Sequence, residues 1–247
     1  MAVVHHAEVD AMTTGTPTTS APGTPARSLD ARRCAGLSGF AVAVLFAGGN
    51  ALWALNWPKA GARAAEIADF YRDTSDRIVV GASLSLLTIA AAVLFSAAFR
   101  RVLTEAEGDD LLATTAFGGA LLGLAAGVGA ETINMVGALR ARDGQLSAAL
   151  AQSVWEIARV LGSTAAGVGM GIFALATAAV ALRTGVVLPR WLAIVTAVVG
   201  TSLLTPVSYV GLVTGGALVL FVLAISVVLL RTPIEVAPHV KGSPSSE

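Results

Sequence analysis

The stretch Arg77-IVVGASLSLLTIAAAVLFSAAF-Arg100-Arg101 places twenty-two uncharged residues, Ile78 to Phe99, between arginines. At about 1.5 Å of rise per residue, a helix of this length just crosses the roughly 30 Å hydrocarbon core of a bilayer. Similar runs occupy Ala35 to Trp57, Leu111 to Leu139 with Glu131 as the interruption, and Val160 to Leu182. Trp191 to Leu230 is forty residues without a charge, about 60 Å as a helix, and so is expected to cross twice. Proline removes an amide donor and disfavours helix in the residue before it, so the fold-back is expected near Thr205-Pro206. The expected fold class is an all-α, polytopic transmembrane bundle of six spans. A re-entrant segment from Trp191 to about Leu204 is the alternative for the short fifth span.

Only 13% of the residues are charged and 55% are hydrophobic, too little polarity to clothe a soluble surface. The lipid bilayer is the expected solvent, and other membrane proteins or further copies of the chain are the expected partners. Sixteen basic residues balance sixteen acidic ones, which gives no nucleic-acid footprint. A single cysteine, Cys34, excludes an internal disulfide and any multi-cysteine metal site. Fourteen arginines against two lysines, with abundant Ala, Gly, Val and Leu, point to a GC-rich bacterial genome.

Residues 1–32 are Thr-, Pro-, Gly- and Ser-rich and read as a disordered cytoplasmic tail, as do residues 232–247, with the six spans in 33–231 between them. The tail lacks the apolar region of a secretory signal, so the first apolar run is expected to stay as an anchor. Six spans bring both termini to one side. Arg32, Arg33, Arg100, Arg101, Arg183, Arg190 and Arg231 would lie there, against Lys59, Arg77, Arg140, Arg142 and Arg159 opposite, which favours cytoplasmic termini in a bacterial inner membrane.

Two connections carry helical periodicity. Ala64, Ile67, Ala68 and Tyr71 share one face while Arg63, Glu66, Asp69, Arg72 and Asp73 take the other, as in an amphipathic helix lying on the outer interface. Ser147 is placed to cap a helix with Leu150, Val154, Ile157 and Leu161 on one side, running unbroken into the fourth span.

Gly119, Gly123 and Gly127 repeat every four residues, and Glu131 takes the next place in the row. Arg159, Ser163, Gly167 and Gly171 form a second such row, and pairs across the two antiparallel helices share a constant residue sum of 290. Lipid tails are as apolar as leucine, so membrane helices associate through the close backbone packing that glycine and serine permit. These two helices are therefore expected to form the tightest pair, with Arg159 neutralising Glu131. Asn50 and Asn134 would join that pair in a polar cluster in the outer half of the membrane. Trp53, Trp57 and Trp155 read as an outer aromatic belt and Trp191 as an inner one.

Catalytic chemistry is sparse. Gly36-Leu37-Ser38-Gly39 matches the G-x-S-G of rhomboid-type proteases, but the histidines His5, His6 and His239 all fall in the tails and supply no base. No metal-ligand, phosphate-binding or dinucleotide motif is present, so no catalytic residue, cofactor or metal is expected. The segments GGNALWAL at 48–55, AAEIADFYRDTSDRIVVG at 64–81 and LRTGVVLPRWLAI at 182–194 resemble uncharacterised six-helix integral membrane proteins of GC-rich bacteria, domains of unknown function. That resemblance implies the architecture and the location and no activity. The expected function is non-enzymatic, through contacts with membrane proteins or lipids; the alternative is a small-solute or proton-linked transporter built on Glu131.

Overall fold

A computed structural model describes residues 26–53, 57–59, 61–108, 110–205 and 211–231, and every regular element among them is helical. Helix α1 is Ala26–Ala51, α2 Ala64–Glu107, α3 Leu111–Arg142 and α4 Ala148–Arg159. A π-helical turn, Val160–Ala165, joins α4 to α5, Ala166–Thr184; α6 is Arg190–Leu203 and α7 is Gly211–Arg231. Ala31–Ala51, Ala64–Glu107, Leu111–Arg142 and Ala148–Thr184 are long and apolar enough to cross a membrane. Leu37, Leu87, Leu94, Val198 and Leu220 stay exposed on the outer faces of the helices, where lipid tails cost them nothing. Of the tail anticipated at 1–32, residues 26–32 are instead the first turns of α1; residues 1–25, the tail at 232–247 and the fold-back at Pro206 lie outside the described residues.

Length explains the architecture. The 44 residues of α2 span about 66 Å and the 32 of α3 about 48 Å, both well beyond one bilayer. Nothing between Ala64 and Ile78 breaks a helix, so the amphipathic segment continues directly into the apolar run. This corrects the separate interfacial helix expected above. Its apolar face was read correctly: Ile67, Ala68 and Tyr71 are buried, but against protein, packed with Ala138 and Ala141 of α3 and Ala151, Val154 and Trp155 of α4. The protruding parts of α2, α3 and α4 thus form a cap with its own core.

Ser147 does cap α4, its hydroxyl accepting from the Leu150 amide at 3.2 Å. The buried face of α4 is Ala151, Val154, Trp155 and Ala158, whereas Leu150 and Ile157 point outward. The chain continues to Thr184 through the π turn, as anticipated. At the opposite end, the base, Gly108 and Gly185 close α2 and α5 with φ of 73° and 66°, a left-handed geometry that glycine adopts without a Cβ penalty. Arg100 bridges Asp110 there, and Thr104 also donates to that carboxylate at 2.9 Å.

Below the cap, the helices enclose a second core containing Phe95, Phe99, Phe173, Val180, Leu188, Phe221 and Ile225. Helix α6 packs on α5 and α7 on α1, with α2 and α3 between. Two glycine contacts set the closest approaches. A Cβ on Gly81 would lie 2.6 Å from the Gly49 carbonyl oxygen, and one on Gly169 would lie 2.2 Å from the Gly123 amide nitrogen.

Candidate functional site

Between the two cores lies a cavity of about 650 Å³ reached by α1, α2, α3, the end of α4, the π turn, α5, α7 and the last residue of α6. Its lining is mainly apolar, from Val42, Ile89, Ala92, Leu124, Met170 and Val222, and this size is ordinary for a small-molecule site. Aromatic clusters mark both ends. Toward the base, Phe95 and Phe173 line the floor with ring centroids 6.2 Å apart, and Phe221 stands 6.0 Å from Phe173. Toward the cap, Trp53 and Trp57 line the roof at 4.8 Å, and Trp155 meets Trp57 edge-on at 5.1 Å. Trp53 and Trp155 are buried instead of facing headgroups as the belt expected from the sequence requires, whereas Trp57 is exposed. Trp191 remains exposed.

The polar residues gather at the roof. Glu131, Asn134, Asn50, Arg159 and Ser163 all line the cavity, as do Gly127 and Gly167. Most of these hydrogen-bonding groups are occupied. Asn134 Oδ1 accepts from the Tyr71 hydroxyl at 2.9 Å, Asn50 Nδ2 donates to the Phe46 carbonyl at 2.9 Å, and the Ser163 hydroxyl donates to the Arg159 carbonyl. Glu131 differs. Its Oε2 is buried with no hydrogen-bond partner, and the ion pairs among the described residues do not include Glu131 with Arg159. The neutralising pair expected from the sequence is therefore not formed.

Ser85 is the residue that sequence reasoning missed. A serine inside a membrane helix commonly donates to its own i−4 carbonyl, as Ser83, Thr88 and Ser96 do in α2. The Ser85 hydroxyl does not; it is buried and turned toward the Glu131 carboxyl. The signal was the SLSLL run at 83–87, but serine spacing alone cannot tell which hydroxyl is left over.

The glycine rows need a similar correction. Gly119 meets Gly169 and Phe173, Gly123 meets Ala166 and Met170, Gly129 meets Leu161 and Gly137 meets Val154, all within three residues of the constant-sum register. Gly169 is in backbone contact with α3, whereas Gly171 faces Gly200 of α6 and Leu204 just beyond it. The π turn also breaks the row. One extra residue in a turn rotates everything after it by about 100°, so Gly167 and Gly171 leave the row that Arg159 and Ser163 begin. The α1–α2 contact at Gly49 and Gly81 is as intimate as that of α3 and α5.

A vestibule of about 830 Å³ opens on the cap surface, lined by Trp57, Lys59, Glu66, Asp69, Asp73 and Thr74 among others. Trp57 belongs to both spaces and separates them. Among the described residues no cluster of His, Cys, Asp and Glu is arranged to hold a metal ion. No family profile, curated protein or solved structure matches the chain.

Proposed function

We propose that the chain is a six-span membrane protein that binds a small solute in this cavity and carries it across the bilayer, with Glu131 as the group that receives the solute or an accompanying proton. One observation favours this over action through surface contacts alone: a buried Glu131 carboxylate oxygen with no partner, in a cavity large enough for a ligand. A carboxylate near hydrocarbon costs on the order of a few kcal/mol unless a cation or proton compensates it.

In this reading α6 and α7 are the fifth and sixth spans, the cap is extracellular and the base faces the cytoplasm of a bacterial inner membrane. At 14 residues α6 reaches only about 21 Å, so it crosses in a thinned or locally protein-covered region. The test is labelling of Glu131 by dicyclohexylcarbodiimide in reconstituted liposomes, mapped by peptide mass spectrometry. Reaction in the folded protein, suppressed by a bound solute, supports the proposal. A Glu131 that reacts only after unfolding, together with a defined partner complex from crosslinking in native membranes, points instead to a contact function.

A further inference from the structure

Building on the reading of the cavity as a solute site, we infer that its occupant is a single-chain amphiphile bearing a primary amine, with the ammonium at Glu131 and Ser85 and the chain running to the phenylalanine floor. Shape comes first. The lining runs along α3 from Ala120 to Asn134 and along α2 from Ser85 to Ser96, about 21 Å and 16 Å of helix, so the space is long for its volume. Its polarity is one-sided. The hydroxyls of Thr88 and Ser96, lower down, are taken by backbone carbonyls. Only the roof offers unused polar atoms.

Those atoms select the head group. Glu131 Oε2 and Ser85 Oγ are both able to accept, and the carboxylate calls for a positive charge. An ammonium donates to both oxygens and supplies that charge; a hydroxyl satisfies one and leaves the charge, and an anion is repelled. Trp53 Nε1 is also unpartnered but lies over Gly81 in the α1–α2 contact, where a Cβ would meet it at 2.8 Å. The vestibule selects no sign, since Lys59, Arg63 and Arg72 balance Glu66, Asp69 and Asp73 there, so the choice of head group rests on the roof alone. Arg159, on the same cavity wall, is the group an anionic head would seek.

The test uses the full chain in phosphatidylcholine nanodiscs and an alkylamine with a mid-chain diazirine. Photo-adducts are mapped by mass spectrometry, and dodecylamine, dodecanol, dodecanoate and ethylamine compete. Adducts are expected on Ile89, Leu124 or Met170, with dodecylamine competing at about tenfold lower concentration than the alcohol or the acid, and ethylamine weakest. Glu131→Gln is expected to bring the amine down to the alcohol's level, and Ser85→Ala, a gentler change, to weaken it part-way. Equal or better competition by dodecanol or dodecanoate removes the amine and leaves the solute site standing. Equal competition by ethylamine removes the chain. Adducts scattered over the lipid-facing surface, with no competition by any compound, remove this inference and the solute site together.

Discussion

Replacing Gly169 by alanine places one methyl group where the backbone of α3 already lies. The new Cβ would sit 2.2 Å from the Gly123 nitrogen, 2.6 Å from its Cα and 2.7 Å from the Gly119 carbonyl oxygen. Ordinary contact begins near 3.4 Å, so the helices must part by about 1 Å. All three opposing atoms are backbone, so no rotamer change relieves the overlap. Overpacking of this kind costs about 1–3 kcal/mol, against which the better helix propensity of alanine returns under about 1 kcal/mol. Gly118→Ala is the control, because nothing lies within 4 Å of its would-be Cβ. Thermal unfolding of the purified protein in one detergent is expected to show Gly169→Ala melting several degrees below the wild type and Gly118→Ala at or slightly above it. Gly171→Ala, which meets mostly a Leu204 side chain, should fall between. Equal melting temperatures for Gly169→Ala and Gly118→Ala would refute the α3–α5 contact.

Three further outcomes follow from particular contacts. Tyr71→Phe leaves the buried Asn134 oxygen without its donor and should lower stability by about 1–3 kcal/mol in the same melting assay. At the base, hydrogen bonds from Thr104, Arg100 and Thr114 hold the Asp110 carboxyl below the ordinary carboxylate range. The stability this contributes is present above the unfolded pKa, about 3.9, and disappears as pH falls through the lower folded value, so Asp110→Asn should lose less melting temperature on acidification than the wild type. Gly127→Leu projects a side chain into the cavity from a position with nothing within 4 Å, so it should keep the melting temperature within about 1 kcal/mol of wild-type stability while abolishing the photo-adducts.

Much of the architecture was legible because it follows from length and charge. The run Ile78 to Phe99 could only be a helix of about one bilayer's thickness, and the alternation around Ile67 and Tyr71 identified a buried face correctly. What buries that face was not legible, since periodicity names the apolar side of a helix and not its partner; a neighbouring stump of α3 and α4 replaced the lipid interface. The polar residues of the roof were read from their charge and depth, and Glu131, Asn134, Asn50 and Arg159 do line one cavity, joined by Ser163, which the sequence assigned to helix packing. The expected Glu131–Arg159 pair failed because the chain turns Val154 and Leu161, not Arg159, toward α3. Beyond Arg159 the row also assumed an unbroken 3.6-residue period, and the π turn at Val160–Ala165 breaks it without any proline to announce it. Tryptophans separated by about a hundred residues, Trp53 and Trp57 against Trp155, were read as an interfacial belt because their meeting depends on the tertiary fold.

Whether the roof of the cavity is hollow is measured most directly with a cysteine at Ser85 in a Cys34→Ser background. Reaction of Ser85→Cys with N-ethylmaleimide in the folded protein, slowed by an occupying amphiphile, is the expected result. A thiol that stays silent until detergent denaturation would mean that Glu131 and Ser85 face a filled interior, and the cavity would be no site at all.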